Sequence, residues 1–392
     1  MLVNFNFKNF RSFFDEQNLS LLAGHDKALE ENIISISTDL IPGNLGVLRN
    51  ITVFGDNEAG KTNLLKTLDF MKKMVFLSSS MNICTQNEPF ALQEGASLLD
   101  THLEVEIIQN GGFYKYGFVI NSNKIVKEWL FRRNERLTPI FKRNLDELQI
   151  TGLSKNEATL LIPSKSTLFI SIADKLNLPI SSAIYDVKSF FQSLEFISSP
   201  KREYLNLYLE NEDRIRMAAS ILKQSNLGFS DLKLIKMGSY IDAELTQDVY
   251  SDNGDITNKK KVRLFQDQNL LGRGIMSIVC ILPVLLKALD TGGTVLMNDL
   301  GSTLSVHTAG YLQNFFSDNR INPNGAQMIA TSSVSMLMDE DLRRDQIYLV
   351  SRDNQGRSSL YRLSDRKNVR KSDVYSKKYL KGEYTKRLTD AT

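Results

Sequence analysis

Two cysteines, three histidines and one tryptophan are all that this 392-residue chain holds of those residue types. Cys84 and Cys280 stand in unrelated contexts. That excludes a disulfide framework and a cysteine metal site, and it suits a reducing compartment, so a cytoplasmic location is expected. His25, His102 and His307 are scattered and give no ligand spacing. The longest apolar run, Ile278–Leu286, is about half of what a bilayer requires. The N-terminus, MLVNFNFKNFRSFF, has no continuous apolar stretch, so no secretory leader and no membrane partner are expected. A net charge of +3 is too small to argue nucleic-acid binding from the whole chain. Repeats and low-complexity segments are lacking too.

Hydrophobic residues make up 42% of the chain and charged residues 24%, which calls for a packed core. The length allows two domains, or one large domain with an insertion. The most informative stretch is ITVFGDNEAGKTNLLKTL, residues 51–68. It reads as a strand (51–54), a glycine-bounded loop, then a helix carrying Leu64, Leu65, Leu68 and Met71 on one face. The loop fits G-x-x-x-x-G-K-[ST] at Gly55, Gly60, Lys61 and Thr62. Gly55 permits a sharp exit from the strand. The amides across Asp56, Asn57, Glu58, Ala59, Gly60, Lys61 and Thr62 can then cradle a phosphate at a helix N-terminus. Lys61 is placed to reach the outer phosphates and Thr62 to hold Mg²⁺, so ATP and Mg²⁺ are the expected cofactors.

Around this loop the pattern alternates between sheet and helix. Residues 2–7 and 19–22 read as paired strands, and 102–108, 113–120 and 124–131 as a meander with turns at Gly111-Gly112 and Asn121-Ser122-Asn123. The aromatic alternation in the meander reads as sheet packing. Helical spacing appears in 187–197 and 213–224, closed by a cap at Asn226-Leu227-Gly228. Strand 232–237 and a polar hairpin tip or loop at 251–262 follow, then an apolar helix over 270–290 in which Pro283 marks a kink or an early turn. Strands 294–297, 328–333, 346–350 and 359–363 and a helix near 306–316 complete the pattern. From Leu342 onward there are fourteen Lys and Arg against six Asp and Glu, 14 − 6 = +8.

FKNFRSF (7–13), followed by G-x-N-x-x-G-K-T-N (55–63), resembles the opening of RecF/SMC-type ABC ATPases. More narrowly it is similar to the AAA-type ATPases of bacterial abortive-infection and anti-phage systems, in which Asn57 and Asn63 have counterparts. GGTVLMNDLGSTL (292–304) looks like that family's Walker B strand, and INPNGAQMIATSS (321–333) like the strand before its H-loop. RRDQIYLV (343–350) and KKYLKGEY (377–384) look like its C-terminal signatures. The resemblance covers most of the chain. It implies an α/β fold: an ABC-ATPase-type P-loop head with a compact, mainly helical insertion. The head is expected to be split into 1–175 and 233–392, with the insertion at 176–232. The Q-loop region falls near Pro89-Phe90, with Gln86 or Gln93 as a magnesium contact.

Several positions depart from the family pattern. An Asp-Glu pair is expected after the Walker B strand, the Asp for magnesium and the Glu for water; Asn298 and Asp299 stand there. Asp299 is one methylene short of Glu and is the remaining catalytic and metal candidate, beside Thr62. Gly272-Arg273-Gly274 replaces the signature serine turn that grips the nucleotide of a partner subunit, though its amides and Arg273 can still meet phosphate. Ser333 replaces the H-loop histidine, and His307 falls in the next helix. The resemblance thus implies an ATP-binding subunit that hydrolyses weakly or not at all. It implies a homo-oligomer, or a heteromer with a separate toxic effector such as a nuclease, since no nuclease constellation is present in the chain. Two alternatives stand beside it: an active ATPase using Asp299, and a RecF-like DNA clamp that meets nucleic acid through the basic C-terminal tail.

Overall fold

A computed structural model of the chain describes residues 1–384 apart from 27, 42, 44, 45, 225–227, 368 and 371. The expected cap at Asn226 and the last residues of the basic tail lie outside the described residues. The chain begins with β1 (Leu2–Lys8) and β2 (Gln17–Ser20), then a two-residue pair, β3 (Ile33–Ile34) and β4 (Val47–Leu48). β5 (Asn50–Phe54) leads through the glycine loop into α1 (Lys61–Leu77). The meander comprises β6 (Thr101–Gln109), β7 (Gly112–Asn121), β8 (Lys124–Arg133), β9 (Leu137–Asn144) and β10 (Glu147–Ile150).

These strands form a seven-stranded sheet in the order β10-β9-β8-β7-β6-β1-β2. Period-two alternation decides its two faces. Phe5, Phe7, Val105, Tyr116, Phe118 and Leu130 are buried. Asn4 and Asn6, between them in β1, are only half-buried. Short helices α2 (Lys155–Thr159) and α3 (Phe169–Ala173) follow, then α4 (Ser181–Gln192).

The second sheet has the order β11-β15-β16-β5-β17-β18. It comprises β11 (Leu194–Ile197), β15 (Thr294–Met297), β16 (Gln327–Ser332), β5, β17 (Ile347–Arg352) and β18 (Ser358–Arg362). All its pairings are parallel except β17 with β18. Its inner strands are buried on both faces, as parallel strands require. Alternation distributes them between two cores. Leu296, Ile329, Tyr348 and Val350 join the core under the antiparallel sheet. Val295, Met297, Met328, Ala330, Ile347 and Leu349 join a second core built around α6 (Arg273–Thr291) and α7 (Val306–Ser317).

The stretch 176–232 is mainly helical, with α4, a 3-10 segment and α5 (Glu212–Gln224), but it is not helical throughout. The helical reading of 187–197 stops at Gln192, and Leu194–Ile197 becomes a strand paired in parallel with β15. A small sheet of β12 (Asp231–Met237), β13 (Tyr240–Tyr250) and β14 (Ile256–Arg263) comes next. Residues 251–255 make its tip, so Lys259, Lys260 and Lys261 lie on a strand and not in a loop. α6 runs through Pro283 without a break. By length and composition α6 is apolar enough to cross a membrane, yet most of it is buried inside the fold. The last element is α8 (Tyr375–Leu380).

Candidate nucleotide site

The glycine loop sits where β5 ends, at the carboxyl edge of the parallel sheet. Gly60 has φ 115°, and a Cβ there would come 2.4 Å from Ser358 Oγ and 2.8 Å from Ser12 Oγ. A Cβ at Gly55 would lie 2.5 Å from the Val350 carbonyl oxygen. Both glycines are therefore required by space as well as by the turn. Asn57, Glu58, Gly60, Lys61, Thr62 and Asn63 line a cavity of ≈ 210 Å³, closed on the other side by Asn298, Asp299, Thr331 and Ser333.

Lys61 Nζ donates to the carbonyls of Gly55 (2.6 Å) and Asp56 (2.8 Å). Burial pulls this ammonium below the usual lysine range, while Asp299 and Asp56 act in the opposite direction. Thr62 Oγ1 donates to Asn298 Oδ1 at 2.9 Å, and Thr331 Oγ1 lies 3.4 Å from the same oxygen. The Asp299 amide donates to Thr331 Oγ1 at 2.9 Å, with φ 57° at Asp299. Ser333 Oγ donates to Asn57 Oδ1 at 3.3 Å. Thus Thr62, Asn298, Asp299 and Ser333, distant in sequence, meet at one cavity. The oxygens available to a cation include the Thr62 hydroxyl, the Asn298 amide and the Asp299 carboxylate, with the Glu58 carboxylate also on the lining. That suits Mg²⁺ carried in with phosphates, which takes only one or two protein ligands.

Other sequence-selected residues lie elsewhere. Gly272, Arg273 and Gly274 form the start of α6 and are absent from the cavity lining. Gly272 and Arg273 are exposed, as is His307. Gln86 and Gln93 also lie outside the lining. Gln93 Oε1 instead accepts from Arg357 at 2.6 Å. This corrects the expected glutamine contact with magnesium.

Side chains from outside the loop hold it in place. Asn63 Nδ2 donates to Ser12 Oγ at 2.8 Å, so Asn63 ties α1 to the FKNFRSF turn. The Ser358 amide donates to Ser12 O at 2.7 Å, and Ser358 Oγ to Ala59 O at 2.6 Å. Tyr379 on α8 donates to Asp56 Oδ1 at 3.1 Å. RRDQIYLV acquires a physical role as well. The Arg343 guanidinium, fully buried, bonds both Asp345 oxygens at 2.9 Å and the Gly24 carbonyl at 3.2 Å. Gln346 Nε2 donates to Asn50 O at 2.9 Å. Several cations of the basic tail are therefore engaged inside the fold: Arg344 pairs with Asp26 and Lys378 with Asp373. Ser12, Arg343, Gln346 and Tyr379 fall within segments that carry the family resemblance, Ser358 falls in none, and none of the five has a local chemical pattern.

The family model described as "AAA domain, putative AbiEii toxin, Type IV TA system" matches residues 51–332, well over half of the chain. The match opens on β5 and closes on β16. It therefore takes in the loop, Asn298 and Asp299, but neither the FKNFRSF turn nor α8. No curated protein matches the chain. Among solved structures, cbiO1 from Clostridium perfringens, part of the ABC transporter complex cbiONQ, is 10% identical with a TM-score of 0.33. The alignment covers 100% of this chain and 97% of that one, but the score is too low to bear on function.

Proposed function

The chain belongs to this AAA-domain family and has a P-loop ATPase fold, and from that premise we propose that it is an ATP-gated subunit of an anti-phage assembly. It binds Mg-ATP at the Gly55–Asn63 loop and turns it over slowly on its own. The observation that carries this reading is the Thr62–Asn298 hydrogen bond. The Thr hydroxyl meets a neutral amide where a P-loop ATPase has a carboxylate. Loop amides and Lys61 hold the phosphates, Thr62 and Asn298 supply neutral oxygens to Mg²⁺, and the cation neutralises phosphate charge. Asp299 lines the cavity together with the loop's own Glu58, and its place after the Walker B-like strand makes it the carboxylate to orient water. Its short side chain leaves it about a bond length from the position a Glu would reach, and an offset of that size costs ~10²-fold. Binding without fast turnover suits a gate: ATP holds one arrangement of subunits, and a separate toxic polypeptide responds to it.

Asp299 facing the cavity also favours a second reading, an active ATPase whose partner completes the site. Nucleotide binding and phosphate release by the purified chain, against Lys61→Ala, separate the two. Saturable Mg-ATP binding lost in Lys61→Ala, with turnover slower than ~10⁻² s⁻¹, supports the gate. Turnover near ~10 s⁻¹, ordinary for an enzyme, overturns slow hydrolysis and gives Asp299 the catalytic role.

A further inference from the structure

A second cavity, ≈ 490 Å³, lies on the solvent face of the antiparallel sheet and shares no residue with the nucleotide loop. Among its lining residues is Trp129 on β8, the only tryptophan of the chain. Gly117 stands opposite it on β7. A Cβ on Gly117 would come within 2.6 Å of Trp129 Cζ2 and 2.8 Å of Cε2, so the six-membered ring lies over the bare glycine. Trp129 Nε1 donates to Glu104 Oε2 at 2.9 Å, and His102 flanks the ring at 5.4 Å. The indole is thus fixed in place before any ligand arrives, which removes an ordering cost from binding. Phe131, two residues along the same face, is half-buried, with Lys142 Nζ 5.1 Å from its ring centroid.

The charges around this aromatic pair are unequal in availability. Lys115 is neutralised by Glu104 at 2.8 Å and Glu106 at 3.5 Å. Lys142, directly opposite Trp129, and Lys127, two residues before it, are exposed. Neither forms an ion pair among the described residues. Glu147 is the remaining exposed acid of the lining, and Asn144 and Gln149 add amides. Glu128 and Arg143 are buried and belong to the opposite face.

We propose that this face is a second ligand site, stacking an unpaired nucleobase on Trp129 and pairing its phosphate with Lys127 and Lys142, the latter held over the Phe131 ring. A fixed aromatic plane beside unpaired cations is the chemistry that single nucleotides select, and the amides can meet a base edge. The cavity is of the size, ~300–1,000 Å³, that small ligands occupy. The base comes either from a free nucleotide or from a single strand.

Because Trp129 is the sole tryptophan, its emission reports on this site alone. Uridine monophosphate and octathymidylate are each titrated against the full chain in a Lys61→Ala background, which removes the P-loop. Saturable quenching is expected, abolished by Lys127→Glu with Lys142→Glu; both positions are exposed, so the fold is kept. Quenching by the mononucleotide assigns a free nucleotide as ligand, and quenching by octathymidylate alone assigns a strand. With a labelled oligonucleotide or nucleotide, Trp129→Tyr retains affinity while Trp129→Leu loses ~10–100-fold, the range of one lost stacking contact. Absence of quenching by both ligands, or quenching that survives charge reversal, overturns the proposal and leaves Trp129 as a cover for Gly117.

Discussion

Thr62 and Asn298 share one hydrogen bond, and the charge missing from it sets the chemistry expected of the nucleotide site. Replacing Asn298 by Asp changes one atom and keeps an acceptor for the Thr62 hydroxyl, so the fold tolerates it. The new carboxylate adds a negative ligand for Mg²⁺. Asn298→Asp is expected to lower the Mg²⁺ concentration needed for ATP binding by ~10-fold, one hydrogen-bonded charge being worth about 1.5–3 kcal/mol. Adding Asp299→Glu extends the second carboxylate toward the water position and should raise turnover by ~10²-fold over the parent. Phosphate release by parent, single and double variants checks this. Equal turnover in all three would show that the two side chains do not limit hydrolysis. The loop itself was legible in the sequence because its chemistry is local: nine consecutive residues specify turn, cradle and cation. Ser12, Ser358 and Tyr379 were not legible, because each reaches the loop from a segment remote in sequence.

Among the elements, β8 and α3 are joined by a buried carboxylate. Glu128 accepts from the amides of Phe169 (2.6 Å) and Ile170 (3.0 Å) and from Tyr116 Oη (3.2 Å). Burial pushes its carboxyl from 4.5 to about 7, opposed by those amides, Arg143 and Tyr116. Between these values the folded state holds a proton that the unfolded chain has released. The resulting stability is complete below pH 4.5 and is lost as pH rises through 7. Glu128→Gln removes the titration while keeping one acceptor for the α3 amides. Its stability relative to the parent should therefore rise from pH 4.5 to 8 by on the order of 3 kcal/mol. Urea unfolding of both proteins at the two pH values measures the difference, and a flat difference would mean that Glu128 folds with an ordinary carboxylate. The strands around it show what pattern reading can reach. β6, β7 and β8 are rich in apolar residues and end in turns with Gly or Asn, so their bounds were readable within about two residues, although β7 is buried almost throughout. β9 carries Pro139 and exposed polar residues and gives no alternation. β11 follows α4 across Ser193 alone, and its Leu194 and Ile197 also continue the helical spacing. Only its pairing with β15 decides that it is a strand.

At the scale of the whole molecule, the two halves of the expected nucleotide grip do not line one cavity in the single chain. The glycine loop lines the nucleotide cavity, and Asn298, Asp299 and Ser333 close it from the other side. The start of α6, with Gly272 and Arg273 exposed, contributes nothing to that cavity in the same chain. A Cβ at Gly274 would lie 3.0 Å from the Thr303 carbonyl oxygen, so the first turn of α6 packs close against that segment. A helix N-terminus of three full turns or more, free and next to an arginine, is suited to phosphate. In the gate reading it meets the phosphate of a second copy, and ATP becomes the shared contact between two chains. Mg-ATP should then double the solution mass measured by light scattering. Lys61→Ala should prevent this by removing nucleotide. Arg273→Glu should prevent it while leaving nucleotide binding by the single chain within about 2-fold, since a rim charge acts on association more than on a distant pocket. Doubling that persists in Arg273→Glu would place the interface elsewhere. Intact ATP binding with no change of mass in the parent would remove closure between copies as the gate, leaving a different polypeptide as the surface that reads the bound nucleotide.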